Sequence, residues 1–140
     1  MNPIEIDTRE LYDYARSRGY EPLIDQRFEM EIHLRVSVQR ELFGTGHTPE
    51  ENEKFYRWCW NHFPHICEET MRPLREYSAT YISHILTRGA HPEMAHDPRN
   101  INILCFQMHN RWENGDRVNM RIYAKNRFRV ELLKSEYGKI

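Results

Sequence analysis

The chain has 140 residues, a length that favours one domain with a modest hydrophobic core. Charged residues make up 29% of the chain and no apolar run approaches membrane-spanning length, so we expect a soluble protein without a membrane partner. The first residues, MNPIEIDTRE, lack the features of a secretory signal, and three cysteines do not make a disulfide framework, which together favour a cytoplasmic location.

The formal net charge of -1 does not by itself indicate nucleic-acid binding. Residues 1–56 hold 12 acidic and 7 basic side chains, whereas residues 57–140 hold 9 acidic and 13 basic ones. This asymmetry favours an anionic partner for the C-terminal half. An arginine-rich helix surface that is simply solvated would give the same charge count.

Residues 7–19, DTRELYDYARSRG, have an N-cap residue, an apolar face and a terminal glycine, which predicts a short helix. In residues 28–38, apolar and polar side chains alternate strictly, and a period of two predicts a strand. A strand needs a partner, so we expect this one to pair either near residue 80 or with its copy across a homodimer interface.

The segment from Thr48 to Phe63 has the features of a helix start, because Thr48 and Glu51 form a capping box and Pro49 fits the first helical position. Several residues at helical spacing then share an apolar face: Phe55, Trp58, Cys59 and His62. We expect a structural helix whose tryptophans lie in the core and do not form a base-stacking platform.

Residues 76–86 and 101–105 have the composition of two strands, separated by a surface loop. Residues 106–115 predict a short helix closed by Gly115, and residues 116–138 predict a longer one. The expected apolar stripe of the longer helix is Val118, Ile122, Tyr123, Val130 and Leu133.

Three residues in this strand–loop–strand–helix order carry a resemblance to a known family: His84 in SHIL, Asn100 in DPRNINILC and His109 in CFQMHN. They match the first His, the Asn and the final His of the HNH motif. From roughly Cys67 to Ile122, the chain therefore resembles the HNH, or ββα-metal, endonuclease superfamily. Within that superfamily it looks most like the phage NinG-type recombination proteins, which have a loop of similar length and a cysteine after the second strand.

The resemblance implies a metal-dependent endonuclease that hydrolyses phosphodiester bonds in duplex or branched DNA with one Mg²⁺ or Mn²⁺. It makes His84 the general base and His109 a metal ligand, while Asn100 holds the loop and orients the base through its amide. A neutral imidazole suits the first role, because its ordinary pKa of about 6.5 lets it accept a proton at neutral pH.

Many HNH enzymes have an acidic residue or a histidine directly before the base, as a second metal ligand, where this chain has Ser83. A hydroxyl is a poor ligand for a divalent cation. Glu113 is the candidate to replace it, because His109 and Glu113 are an i, i+4 pair on one helix face. The expected metal set is therefore His109 and Glu113 with Ser83.

Many members of the superfamily also carry a structural zinc ion on two Cys-x-x-Cys turns. Here each turn keeps its first cysteine only, in Cys67-Glu-Glu-Thr70 and Cys105-Phe-Gln-Met108. Two thiolates do not make such a site, so we expect no Cys₄ zinc and two small buried cysteines. The alternative is a rebuilt zinc site made of His62, His65, Cys67 and Cys105.

Arginine offers a two-pronged donor to phosphate, so Arg88 beside the loop and Arg111 after His109 are candidate DNA contacts. Basic residues of the last helix would extend this surface: Arg117, Arg121, Lys125, Arg127 and Arg129. The loop histidines, His91 and His96, are expected to be ordinary surface residues.

We therefore expect a single α+β domain, with an accessory segment over residues 1–66 and an HNH core with a C-terminal helix over residues 67–140. The expected function is DNA cleavage in a phage or mobile-element setting. The alternatives are a catalytically inactive nucleic-acid-binding accessory protein in recombination and a protein-interaction module built on the acidic half.

Overall fold

A computed structural model of the chain describes residues 36–44 and 46–138. In chain order these residues form helix α1 (Val36–Phe43), helix α2 (Pro49–His62), strand β1 (Ile82–His84), strand β2 (Ile101–Ile103), helix α3 (Phe106–Glu113) and helix α4 (Tyr123–Tyr137). The combination of helices with a small antiparallel sheet confirms the α+β class. Within the described residues, no helix is both long enough and apolar enough to cross a membrane.

The strand predicted for residues 28–38 is wrong at its C-terminal end, because Val36–Val38 begin helix α1. Among the described side chains of that helix, Gln39 and Phe43 are buried and lie one helical turn apart. Phe43 packs edge-on against Phe55 of α2, with ring centroids 5.0 Å apart. Residues 28–35 and the helix predicted for residues 7–19 lie outside the described residues.

Helix α2 begins with the predicted capping box. The Glu51 backbone N–H donates to Thr48 Oγ1 at 3.2 Å, and the Thr48 backbone N–H donates to Glu51 Oε1 at 3.1 Å. The same carboxylate lies against Gly44, where an added β-carbon would be 1.5 Å from Glu51 Oε2. Gly44 also has a φ of +90°, so both backbone conformation and space require glycine at this turn.

Helix α2 covers one face of the β-hairpin. Its buried side chains, Phe55 and Cys59, share a core cluster with Ile82 of β1 and with Ile101 and Ile103 of β2. The expected core position of the aromatic residues is confirmed for Trp60 and Phe63, which are 8% and 4% exposed, while Trp58 packs partly buried against the cluster. Helix α2, which lies within the predicted accessory segment, therefore packs directly on the hairpin.

The two strands are shorter than predicted, with Ile82, Ser83 and His84 opposite Ile103, Asn102 and Ile101. Helix α3 follows β2 after two residues and ends near the predicted Gly115. A second core cluster packs around α3 and includes Cys67, Ile85, Leu104, Trp112, Met120 and Ile122.

Helix α4 starts at Tyr123, seven residues later than predicted. The backbone N–H groups of Arg121 and Ile122 instead donate to the Glu69 carboxylate, at 2.9 and 3.0 Å. The predicted apolar stripe is wrong at Val118, which is 65% exposed. The residues that α4 buries are Asn126, Phe128, Arg129, Leu132 and Leu133.

Polar contacts fasten α4 to the hairpin and its loop. Asn126 and Asn102 exchange side-chain hydrogen bonds of 2.7 and 3.1 Å, and Arg129 donates to the Ile101 carbonyl. At the far end of α4, the Tyr137 hydroxyl donates to Asp97 Oδ2 at 2.8 Å. Asp97 is 1% exposed and also pairs with the equally buried Arg99, so this contact lies in the interior.

Replacing Tyr137 by Phe removes one hydrogen bond to a buried carboxylate and keeps the ring. We expect the free energy of unfolding to fall by roughly 1.5–3 kcal/mol, the usual contribution of a hydrogen bond to a charged group. Urea denaturation of Y137F beside the wild type measures this. An unchanged midpoint and slope would show that α4 is not held through Asp97.

Candidate functional site

His84, the last residue of β1, lies at a cleft of about 480 Å³. The cleft is lined by residues from three parts of the chain, namely the turn before α2, the loop after β1, and α3. Those with side chains able to take part in chemistry are His47, Asn52, His84, Thr87, Arg88 and Glu113. An imidazole from the hairpin and a carboxylate from α3 thus line the same solvent-accessible cleft.

The hydrogen bonding of His84 fixes its tautomer. Its Nε2 atom lies 2.9 Å from the Ala95 backbone carbonyl oxygen. A carbonyl oxygen only accepts hydrogen bonds, so Nε2 carries the proton and donates it. In the neutral ring, Nδ1 is then the atom with an available lone pair, as a general base requires.

Burial keeps this ring neutral. Removal from water lowers the pKa of His84 to about 4, and the hydrogen bond to Ala95 opposes that shift without cancelling it. Positive charge on Arg88 and His109 lowers the pKa further, whereas Glu113 raises it. At neutral pH, His84 is therefore unprotonated at Nδ1, and its pKa of about 4 makes it a weaker base than an ordinary imidazole.

Asn100 holds the loop that carries this arrangement. Its Oδ1 accepts from the Leu86 backbone N–H at 2.8 Å, and its Nδ2 donates to the carbonyls of Leu86 and Met94, at 2.9 and 3.3 Å. The predicted role in holding the loop agrees with these contacts. The predicted orientation of the base through the Asn100 amide does not, because the group bonded to His84 is the Ala95 carbonyl.

His109 and Glu113 meet on helix α3, as their i, i+4 spacing predicts. His109 Nε2 lies 2.9 Å from Glu113 Oε1, and His109 Nδ1 lies 2.6 Å from the Thr80 carbonyl oxygen. Thr80 thus holds the ring so that Nε2 points at the carboxylate. A backbone carbonyl on the far nitrogen is the usual means of orienting a histidine that binds a metal.

Ser83 is not brought to this pair. Successive side chains of a strand point to opposite faces, so Ser83 and His84 face different sides of the hairpin. Ser83 is fully buried, and its Oγ has no hydrogen-bond partner among the described residues. The expectation that Ser83 is a metal ligand is therefore at odds with its position.

The donor set of α3 suits a cation that keeps most of its own water. Within residues 36–44 and 46–138, no three His, Cys, Asp or Glu side chains are grouped to hold a metal. Mg²⁺ and Mn²⁺ are commonly held by one or two protein ligands, together with water and substrate phosphate. His109 Nε2 and the Glu113 carboxylate fit that description as a two-ligand site.

The rebuilt zinc site is not assembled. His62 and His65 instead bond to backbone carbonyls of helix α2, those of Trp58 and Trp60, both at 2.8 Å. Each imidazole also stacks on the indole of the same tryptophan. One nitrogen and one face of each imidazole thus contact α2.

His96 was expected at the surface and is instead 6% exposed, so that expectation is wrong. Its Nε2 bonds to Asn52 Oδ1 at 2.8 Å, and its ring stacks on His47 at 4.5 Å and packs beside Phe55. Burial lowers the pKa of His96 to about 4. The loop sequence contains no signal for the burial of His96, because the partners of His96 lie 41 or more residues earlier in the chain.

The four arginines expected to contact phosphate have different surroundings, and one of them lines the cleft. Arg88 lines the cleft and hydrogen-bonds to the Tyr56 hydroxyl. Arg111 pairs with Asp116 at 3.2 Å, Arg117 lies 4.6 Å from the centre of the Trp112 ring, and Arg121 is exposed. Of the arginines expected to contact phosphate, Arg88 is thus the one that lines the same cleft as His84.

Two members of the expected basic face of the last helix are not available for it. Arg129 is fully buried, so its assignment to a phosphate-binding surface is wrong. Lys125 forms an ion pair with Glu68 at 2.9 Å. The remaining member on α4, Arg127, is exposed and lies near the Tyr123 ring.

No protein-family model matches the chain, and no solved structure matches it. Among curated proteins, Maturase K of Ginkgo biloba is 38% identical to it over 88 residues, which cover 56% of this chain and 17% of that protein. The chain spans about a sixth of the length of that relative. This partial similarity does not assign the chain to a family.

The two buried histidines predict acid sensitivity of the fold. Their pKa values of about 4 lie below the ordinary 6.5, so the unfolded chain takes up these protons first. Stability is then complete above about pH 6.5 and falls as the pH drops toward 4, by on the order of 1 kcal/mol per histidine at pH 5.

Urea denaturation at pH 7 and pH 5 measures this loss. The variant H96Q keeps a donor for Asn52 and removes one titrating group, so its loss between the two pH values should be smaller. H62Q, which changes an exposed histidine of α2, is the matched control. Equal losses in wild type and H96Q would contradict the assignment.

Proposed function

We propose that the protein is a metal-dependent endonuclease that hydrolyses phosphodiester bonds in DNA. One observation carries the proposal: a neutral imidazole with its Nδ1 lone pair available shares a cleft with the carboxylate of a His–Glu pair. The order of strand, loop, strand and helix, with His84, Asn100 and His109 at the matching places, supports an HNH-type core.

In this mechanism His84 Nδ1 removes a proton from a water molecule as its oxygen attacks phosphorus. The new P–O bond forms on one side while the bond to the leaving oxygen breaks on the other. The Ala95 carbonyl, which accepts from Nε2, stabilises the imidazolium that results. Asn100 contributes indirectly by holding the loop on which Ala95 lies.

His109 and Glu113 would hold one Mg²⁺ or Mn²⁺. Such a cation neutralises charge on the phosphate and stabilises the leaving oxygen. Arg88 lines the loop side of the cleft, and its guanidinium would bind a neighbouring non-bridging oxygen.

The C-terminal half supplies the charge for an anionic substrate, with 13 basic and 9 acidic side chains. Arg121 and Arg127 are exposed on that half. Duplex or branched DNA, as handled by recombination proteins of phages and mobile elements, is the proposed substrate class. The phage or mobile-element origin is proposed from the resemblance of residues 67–122 to the HNH motif.

A second candidate is a nucleic-acid-binding accessory protein that has kept the fold without the chemistry. The observation that favours it is the position of Ser83, buried on the opposite face of β1 from His84. Of the expected metal set, His109 and Glu113 are then the two groups left to hold a cation.

Nicking of supercoiled plasmid with Mg²⁺ or Mn²⁺, with and without EDTA, separates the two candidates. H84Q retains an amide donor for the Ala95 carbonyl and lacks a basic lone pair, so we expect a rate loss of roughly 10²- to 10⁴-fold.

E113Q removes a charged ligand of the proposed cation. It should lower the cleavage rate and raise the cation concentration needed for half-maximal rate.

H62Q is the control, because His62 is exposed on α2 and bonds only locally to Trp58. It should nick at the wild-type rate. If wild type binds plasmid but leaves it intact with either metal, the accessory protein is the correct candidate. If H84Q cleaves as fast as wild type, His84 is not the base.

A further inference from the structure

Two cysteines far apart in sequence lie side by side at the second core cluster. Cys67 opens a tight turn, in which the Met71 backbone N–H donates to the Cys67 carbonyl at 2.8 Å, and Cys105 is the N-cap residue of α3. The two thiols contact each other, and the Cys105 backbone N–H donates to the Cys67 sulfur. Both cysteines are free thiols in the structure.

Hydrogen bonds of the neighbouring residues fix the turn that contains Cys67 beside the end of β2, which precedes Cys105. The Glu68 backbone N–H donates to the Ile103 carbonyl at 2.8 Å, one residue after Cys67 and two before Cys105. The Glu68 carboxylate accepts from the Ile103 backbone N–H in return. Residues 66 and 73 also form a bridge that closes the turn. The turn is therefore fixed to the end of β2, and both cysteines lie at the same core cluster.

The two sulfurs differ in access and in charge. Cys67 is fully buried, whereas Cys105 is partly exposed. Burial raises the pKa of Cys67, but hydrogen bonds from the Thr70 hydroxyl and from three backbone N–H groups outweigh it, so its pKa lies below the ordinary value. Burial raises the pKa of Cys105. A partly exposed thiol thus has a buried neighbour whose thiolate is stabilised.

We propose that Cys67 and Cys105 are a site of reversible oxidation, where a peroxide converts the pair to a disulfide. Cys105 Sγ attacks one oxygen of hydrogen peroxide, the O–O bond breaks, and a sulfenic acid and water result. Cys67 Sγ then attacks Cys105 Sγ, the S–S bond forms, the S–O bond breaks, and a second water leaves. Two thiols and one peroxide thus give one disulfide and two waters.

This disulfide would tie the 67–70 turn to the first residue of α3, the helix that carries His109 and Glu113. Joining residues 67 and 105 closes a long chain segment, which restricts the unfolded state. The oxidised protein should therefore unfold at a temperature several degrees higher than the reduced protein, and dithiothreitol should reverse the change. The inference does not depend on nuclease activity, because it needs only the two thiols.

Reduced protein is treated with a small molar excess of hydrogen peroxide, alkylated with iodoacetamide and mapped by peptide mass. We expect a peptide pair joined through Cys67 and Cys105 in wild type and in C59S. Cys59 is the matched control, because it is also buried but belongs to the other core cluster. C67S and C105S should lose the cross-link and the shift in melting temperature.

Several results would overturn the proposal. One is alkylation of both cysteines in peroxide-treated wild type, which requires no variant to fold. A second is a cross-link between two chains on non-reducing gels. A third is one zinc ion per chain in purified wild type that protects both thiols and is lost in C105S, which would make the pair a metal site.

Discussion

The candidate site depends on one buried amide. Asn100 is fully buried and bonds both backbone groups of Leu86, where the chain leaves β1, and the Met94 carbonyl inside the loop. The loop is thereby closed on itself just before β2 begins. The Ala95 carbonyl, next to Met94, is then fixed against His84, which sets the tautomer of that ring.

The packing on either side of the hairpin gives this loop its support. Helix α2 covers one face, and its Asn52 reaches the loop through His96. Helix α4 reaches the same loop through Tyr137 and Asp97. Burial by these elements, and not a charged neighbour alone, is the main cause of the low pKa of His84 and His96. Fold stability and the protonation of the proposed base thus have a common origin.

Local patterns predicted the local features well. The capping box of α2 and the His109–Glu113 pair each depend on residues three or four apart in sequence, where spacing alone fixes geometry. Positions decided by distant partners were missed. Helix α1 replaces the end of a predicted strand because Phe43 packs on α2, and Ser83 is buried because the hairpin is covered on both faces.

The most direct test is the side-chain ¹⁵N NMR spectrum of His84 between pH 5 and pH 8, assigned with H84Q. We predict a neutral ring with its proton on Nε2 throughout this range, and line broadening of His84 and His109 on addition of a trace of Mn²⁺. A proton on Nδ1, or a charged ring at pH 7, would remove the proposed base. Broadening that spares both histidines would place any bound cation elsewhere.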